Sequence, residues 1–355
     1  MKKLFVIFTA MALVGIFTLS ATAANWDFYG SARFSTFYDS ADDDYSGGNS
    51  KADMKDDAGT TWALQGNSRI GANVKLNDEI GGRFEYGTGV NLRHLYGTWD
   101  FNGSQLLVGH TYTPIYQGYS DQVWDTDQGM SKWGNTDPGR NSMIQLKTGG
   151  FKIAIVKPND KTPTLPPDTT YDVDILLPKL EVSYCMKTDL FFFDVNAGAQ
   201  TYSMENNTLD ENVASYVVGG DFGMDFGLVG FVIKGHYALN GAQYGLLAAT
   251  SDNSAVNKAG NDIDNNTTYA FMGVINIKPT DTLDIQAGAG YSASELDIRG
   301  ADTDDSICAY ANAKVTVIPG LFIVPEVGII SEGDDSKGND QGSAFYAGAK
   351  WQINF

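Results

Sequence analysis

Cysteine is nearly absent: Cys185 and Cys308 are the only two in 355 residues, so disulfides cannot be what holds the fold together. Both read as small residues on interior-facing strand positions, and a pairing between them stays open. Histidine is as scarce. His94, His110 and His236 are spread along the chain, none in a recognisable active-site motif. Basic residues are outnumbered, 24 against 43 acidic, and the net charge of −19 disfavours nucleic-acid binding. Beyond Leu19 no apolar run is long enough for a membrane helix. The nearest, Val315 to Ile330, is broken by Pro319, Gly320 and Pro325.

What is present begins with an export signal over 1–23. Lys2 and Lys3 form its charged start, Leu4 to Leu19 its apolar core, and Ala21-Thr22-Ala23 a small-residue cleavage site. Loss of the two lysines takes the net charge from −19 to −21. Residues 24–355 then form a single domain. At the far end Phe345, Ala347, Ala349, Trp351, Ile353 and Phe355 alternate with Tyr346, Gly348, Lys350, Gln352 and Asn354. This is a period-2 strand closing on an aromatic residue. It resembles the signal read by the barrel-assembly machinery of the outer membrane, carried here by Trp351, Ile353 and Phe355.

Period-2 segments recur from Trp26 onward, with apolar side chains opposed by small, amide or charged ones. In the first, Trp26, Phe28, Ala32, Phe34 and Tyr38 oppose Asp27, Ser31, Arg33 and Ser35. From Thr61 to Leu76, Trp62, Leu64, Ile70, Ala72, Val74 and Leu76 share a face with the small Gly66 and Ser68, against Gln65, Asn67, Arg69, Asn73 and Lys75. A sheet with one face in lipid and the other in water has this pattern, but so does a soluble sandwich.

Connection lengths separate the two. Short turns are expected at 77–80, 102–103, 149–150, 188–189, 227–228, 279–281 and 318–320. Between them fall mostly long loops at 39–59, 88–91, 113–140, 158–177, 203–212, 240–267, 292–305 and 331–342. The alternation predicts an all-β, antiparallel, up-and-down transmembrane barrel of about sixteen strands, tight turns at one end and loops at the other. In hydrocarbon such a sheet must close, because an open edge leaves backbone donors and acceptors unpaired. Glycines, 40 in all, suit strands where the wall is crowded. Trp26, Tyr38, Trp62, Tyr291, Trp351 and Phe355 are expected in interfacial girdles.

Asp42-Asp43-Asp44, Asp56-Asp57, Asp302, Asp304-Asp305 and Asp334-Asp335 cluster in the loops, where they read first as solvation. Loose contact with the divalent cations that bridge lipopolysaccharide is the sharper alternative. No cluster matches an EF-hand loop, so no metal site or cofactor is assigned.

Leu95 to Pro114 reads LYGTWDFNGSQLLVGHTYTP: a strand, a two-residue turn, a second strand and a departing Thr-Pro. It resembles the matching hairpin of Gram-negative general diffusion porins, homotrimers of sixteen-stranded barrels whose next loop folds back into the pore. The chain departs from that family at Gly109-His110, where Gly-Arg is common, and lacks the Pro-Glu-Phe-Gly-Gly of the ingoing loop. The resemblance implies a homotrimer in outer-membrane lipid and an ingoing, constricting loop at 113–140, with Asp121, Asp125, Asp127 and Asp137 on it.

Lumen parity places Arg33, Arg69 and Arg83 on the wall opposite; Arg93, Lys75 and His110 are weaker candidates. Acid on the loop facing base on the wall would set a transverse field that orients and screens small polar or ionic solutes. The acidic balance adds an expected mild cation preference. Rival readings are a sugar- or oligopeptide-selective channel, a barrel enzyme, which needs a base beside a nucleophile, and a structural adhesin. About sixteen strands leave an aqueous passage, against the adhesin.

Overall fold

The computed structural model describes residues 24–45, 58–166, 170–249, 254–256 and 260–355. The leader at 1–23 and Asp56-Asp57 lie outside the described residues. One antiparallel sheet closes on itself in sixteen strands. Their ranges are β1 Asn25–Ala41, β2 (Ala58–Leu64 with Arg69–Lys75), β3 Ile80–Gly87, β4 Leu92–Phe101, β5 Ser104–Tyr112, β6 Arg140–Thr148, β7 Phe151–Val156 and β8 (Asp172–Asp174 with Lys179–Lys187). The second half comprises β9 Phe191–Glu205, β10 Asp210–Asp225, β11 Val229–Leu239, β12 Asn266–Thr280, β13 Leu283–Leu296, β14 Asp304–Ile318, β15 Leu321–Glu332 and β16 Ser343–Asn354.

Closure is made by β1 and β16, in register from Ser31 opposite Asn354 to Ala41 opposite Ala344. Gly30 and Phe355 exchange backbone hydrogen bonds at 2.6 and 3.0 Å, so neither edge is left unpaired. The alternation is realised as outside against inside. Trp62, Ile70, Ile153, Ile233, Phe271 and Ile353 are exposed, while Ser35, Gln145, Asn196, Gln286 and Gln352 are buried. An apolar exterior around a polar interior inverts a soluble fold and suits a hydrocarbon solvent. Trp26 and Phe355 sit toward the short-turn end, and Tyr38 and Trp62 toward the loop end, all exposed.

Two expected loops are shorter than read. Strands β9 and β10 run on to Glu205 and Asp210, leaving only 206–209 rather than 203–212. The extension is stable because Tyr202, Met204, Leu209 and Val213 form a small core with Val256, under Leu165 and Tyr171 of the neighbouring loop. The loop expected at 292–305 contracts to 297–303, since β13 and β14 pair as far as Ser294 opposite Asp304. Both cysteines are free; Cys308 is buried in the lumen and accepts a hydrogen bond from Gln122 Nε2 at 3.4 Å.

Candidate functional site

The segment 113–139 leaves β5 and enters the barrel, where wall side chains hold its backbone. On β15, Glu326 takes the Val123 and Trp124 N–H groups at 2.7 and 2.8 Å. On β13, Gln286 Oε1 accepts from the Asp121 N–H at 2.5 Å, and on β14 Asn312 Nδ2 donates to the Asp121 carbonyl at 2.8 Å. From the other side Gln65 Nε2 donates to the carbonyls of Val123 and Asp125, and Asn67 Nδ2 to that of Thr126.

That last grip comes from an interruption in β2. Leu64 pairs with Phe34 and Arg69 with Ser31, so residues 65–68 oppose only two residues of β1 and bulge inward. Two extra residues preserve the parity of the strand while redirecting Gln65 and Asn67 toward the loop. The sequence signal was present in Gly66 and Ser68, the two small residues in an otherwise apolar set. Wall glycines make room as well: a Cβ on Gly290 would lie 2.2 Å from the Trp133 carbonyl oxygen.

The expected pairing of loop acid with wall base is realised once. Arg33 NH1 lies 2.6 Å from Asp127 Oδ2, and Lys350 Nζ lies 3.0 Å from the same oxygen. Lys350, on β16, was not among the sequence candidates, although it lies on the polar face of the closing strand. Asp121 and Asp125 face open lumen instead. Asp125 accepts a hydrogen bond from Gln128 at 2.7 Å, and Asp121 from Gln286 Nε2 at 3.2 Å. Even on the lumen side, the loop and wall packed around it displace part of its water, and this and then the nearby Asp284 charge raise the Asp121 carboxyl above the ordinary aspartate range. Asp137 is buried at the end of the loop, where its carboxylate takes the Gly139 N–H at 2.8 Å. Its backbone carbonyl accepts from Leu247, and burial raises its carboxyl too.

Arg69 and Arg83 do not face the loop acids, contrary to the reading from parity alone. They converge with Arg93 on Glu85, which is fully buried on β3. Arg93 Nε and Arg83 NH2 reach its carboxylate at 2.6 and 2.7 Å, Arg69 NH1 lies at 3.6 Å, and Tyr29 donates at 2.8 Å. The register shift beside Glu85 and Tyr86 turns both Arg93 and His94 inward, which strict alternation cannot do. Arg140 stacks on Tyr112, with its charge 4.1 Å from the ring centroid. Lys75 is exposed and paired with Asp78 at 2.7 Å, well away from the constriction.

A second segment also enters the lumen. Tyr244, in the short helix Gly241–Tyr244, is wholly buried and donates to Glu181 at 2.9 Å, while Lys179 Nζ donates to its carbonyl at 2.8 Å. Between the first loop and the short-turn end remains a polar cavity of about 330 Å³, lined by Arg33, Asp121, Asp127, Asp284, Lys314 and Lys350. Among the described residues no three His, Cys, Asp or Glu side chains are grouped to hold a metal ion.

A closed sixteen-stranded barrel with an ingoing loop is the porin fold of the Gram-negative outer membrane. Solved structures with this fold include the outer-membrane channel DcaP of Acinetobacter baumannii, at 17% identity and a TM-score of 0.73 over 95% of this chain and 99% of that one. OmpF of Salmonella typhi, solved with daunomycin, aligns at 13% identity and a TM-score of 0.59, covering 92% and 97%. An anion-selective porin from Comamonas acidovorans aligns at 10% and 0.58, covering 94% and 100%. No protein-family model matches the chain, and no curated protein sequence matches it. Identities this low establish shared architecture.

Proposed function

We propose that the chain forms a water-filled channel for passive diffusion of small hydrophilic solutes and ions across the outer membrane, with a mild preference for cations. The observation that carries this reading is the 113–139 loop, held inside a closed barrel by Glu326, Gln286 and Asn312 on one side and Gln65 and Asn67 on the other. A loop held there narrows the lumen, and charged groups line the cavity beside it. Acidic outer loops and the lumen-facing Asp121 and Asp125 support the cation preference.

A substrate-selective channel for a sugar or oligopeptide is the second reading. The ingoing Tyr244 segment favours it, since a second obstruction narrows the range of solutes that pass. Liposome swelling with graded sugars, amino acids and short peptides separates the two. A smooth decline in rate with solute size supports general diffusion, and one solute far above that trend supports selectivity. No swelling with any solute would sink both. Reversal potentials in a salt gradient test the ion preference separately.

Catalysis has no place in this proposal: Glu85, the carboxylate nearest His94, is occupied by arginines and Tyr29. Association as a homotrimer in outer-membrane lipid and lipopolysaccharide is part of the proposal, and cross-linking that yields only monomer would remove it. So is recognition of the closing strand by the assembly machinery. Trp351, Ile353 and Phe355 are exposed on the outer face there, and Phe355→Ala is expected to lower the yield of folded barrel.

A further inference from the structure

The polar cavity of about 330 Å³ between the ingoing loop and the short-turn end is lined by three cations, Arg33, Lys314 and Lys350, and three carboxylates, Asp121, Asp127 and Asp284. Charges in equal number at close quarters ordinarily pair off. Among the described residues only Asp127 does so here, taking both Arg33 and Lys350 at 2.6 and 3.0 Å. Lys314 is left on one side of the cavity, and Asp121 and Asp284 on the other.

The separation is built into the wall. Asp284 on β13 and Lys314 on β14 are direct cross-strand partners, a placement that brings Cβ atoms to about 5 Å and favours an ion pair. The pair stays open instead. Lys314 Nζ lies 4.6 Å from the centroid of Phe322 on β15, and among the described residues it makes no ion pair. Lys350 approaches the same ring from β16 at 5.7 Å. The two carboxylates meet neutral amides: Asp284 that of Asn276, turned with its nitrogen toward the carboxylate, and Asp121 that of Gln286 at 3.2 Å. Phe322 with the buried Val123 and Val324 gives the same cavity an apolar side.

A solute of one charge gains at one pole of such a cavity and loses at the other. One that carries an ammonium and a carboxylate a few ångströms apart matches both poles, and an alkyl body fits the apolar side. The volume stands at the lower end of the roughly 300–1,000 Å³ of small-molecule sites. We propose that this cavity binds a free α-amino acid as its zwitterion. The carboxylate lies at Lys314, the ammonium between Asp121 and Asp284, and the side chain on Phe322 and Val324. The proposal rests on the channel reading in that the amino acid reaches the cavity through the lumen.

L-Leucine is a direct probe, because isocaproate lacks only its ammonium and isoamylamine only its carboxylate. All three are titrated at neutral pH against the full barrel, by calorimetry in detergent and by single-channel recording in planar bilayers. We expect saturable heat and saturable current blockade with leucine, and at least about tenfold weaker binding of either analogue, which leaves one pole unmatched. Lys314→Gln and Asp284→Asn, in separate backgrounds, are each expected to weaken leucine about tenfold, with heat-modifiable migration on gels checking that the variant barrel is folded. An analogue that binds as tightly as leucine, or leucine affinity unchanged in both variants, would overturn the site. A conducting channel that gives neither heat nor blockade with leucine would also overturn it, leaving the channel reading intact. Saturable heat from a barrel that never conducts, with both analogues weaker, would uphold the site and refute the channel.

Discussion

The two halves of the lumen wall carry their charge in different ways. Five of the chain's six arginines, Arg33, Arg69, Arg83, Arg93 and Arg140, lie on β1 to β4 and β6, and three of them converge on Glu85. Across the barrel, β9 to β15 interleave Asp194, Asp221, Asp284 and Glu326 with Lys234 and Lys314. There the charged groups also hold the loop: Glu326 binds its backbone, and Lys234 Nζ donates to the Gln117 carbonyl at 2.9 Å. Guanidinium forks stay charged in a crowded wall and fix one another through a shared carboxylate, whereas carboxylates and lysines more readily serve as loop anchors. In the proposed channel a transverse field would run from the arginine wall to the mixed wall, with the loop acids as a supplement.

Glu85 offers the largest effect with which to break this contrast. Replacing it with Ala leaves several guanidiniums without their buried partner, and we expect a loss on the order of 3–5 kcal/mol in barrel stability. Urea unfolding in lipid vesicles reads this; an unchanged midpoint would mean that the arginines need no common carboxylate. On the opposite wall, Glu326→Ala frees two loop N–H groups, at about 1–3 kcal/mol of loop docking. Its signature is higher single-channel conductance with more open-channel noise and little change in global unfolding.

A smaller change is expected from Asp127→Asn, which removes the carboxylate from Arg33 and Lys350. The reversal potential should move toward anions by a few millivolts to about ten, as one fixed charge is lost inside a Debye length. Smallest is the pH dependence of Asp137. Burial raises its carboxyl, so its ionised form is the less stable in the docked loop. Its contribution to stability grows as pH falls through the raised value and levels off below the ordinary aspartate range. Asp137→Asn should therefore raise the melting temperature at neutral pH, with the gain vanishing in acid; a constant difference would contradict the sign.

Much of the frame was legible because strand alternation is a local property. Asn102-Gly103 and Gly149-Gly150 turned where expected, and Gly103 and Gly149 adopt the left-handed φ values of +76° and +55° that such turns use. The strand ends near Glu205 and Asp210 were not legible, since their extension depends on a cluster completed by Val256 from another loop. Arg93 remained ambiguous for a related reason: a bulge changes facing without leaving a distinctive residue type. Gln65 and Asn67 were placed on the correct face, but their grip on the ingoing loop could not be read from β2 alone.

Residue order by itself determined the number of strands, their inward and outward faces outside the bulges, and the alternation of tight turns with long loops. Each of these follows from neighbours a few positions apart and from the requirement that backbone in hydrocarbon be paired. Tertiary structure alone decided which charges meet. Arg33 found Asp127, 94 residues away, while Arg69 and Arg83 turned to Glu85. Ion pairs depend on how the closed wall and the ingoing loop share one lumen, and no period along the chain encodes that distance.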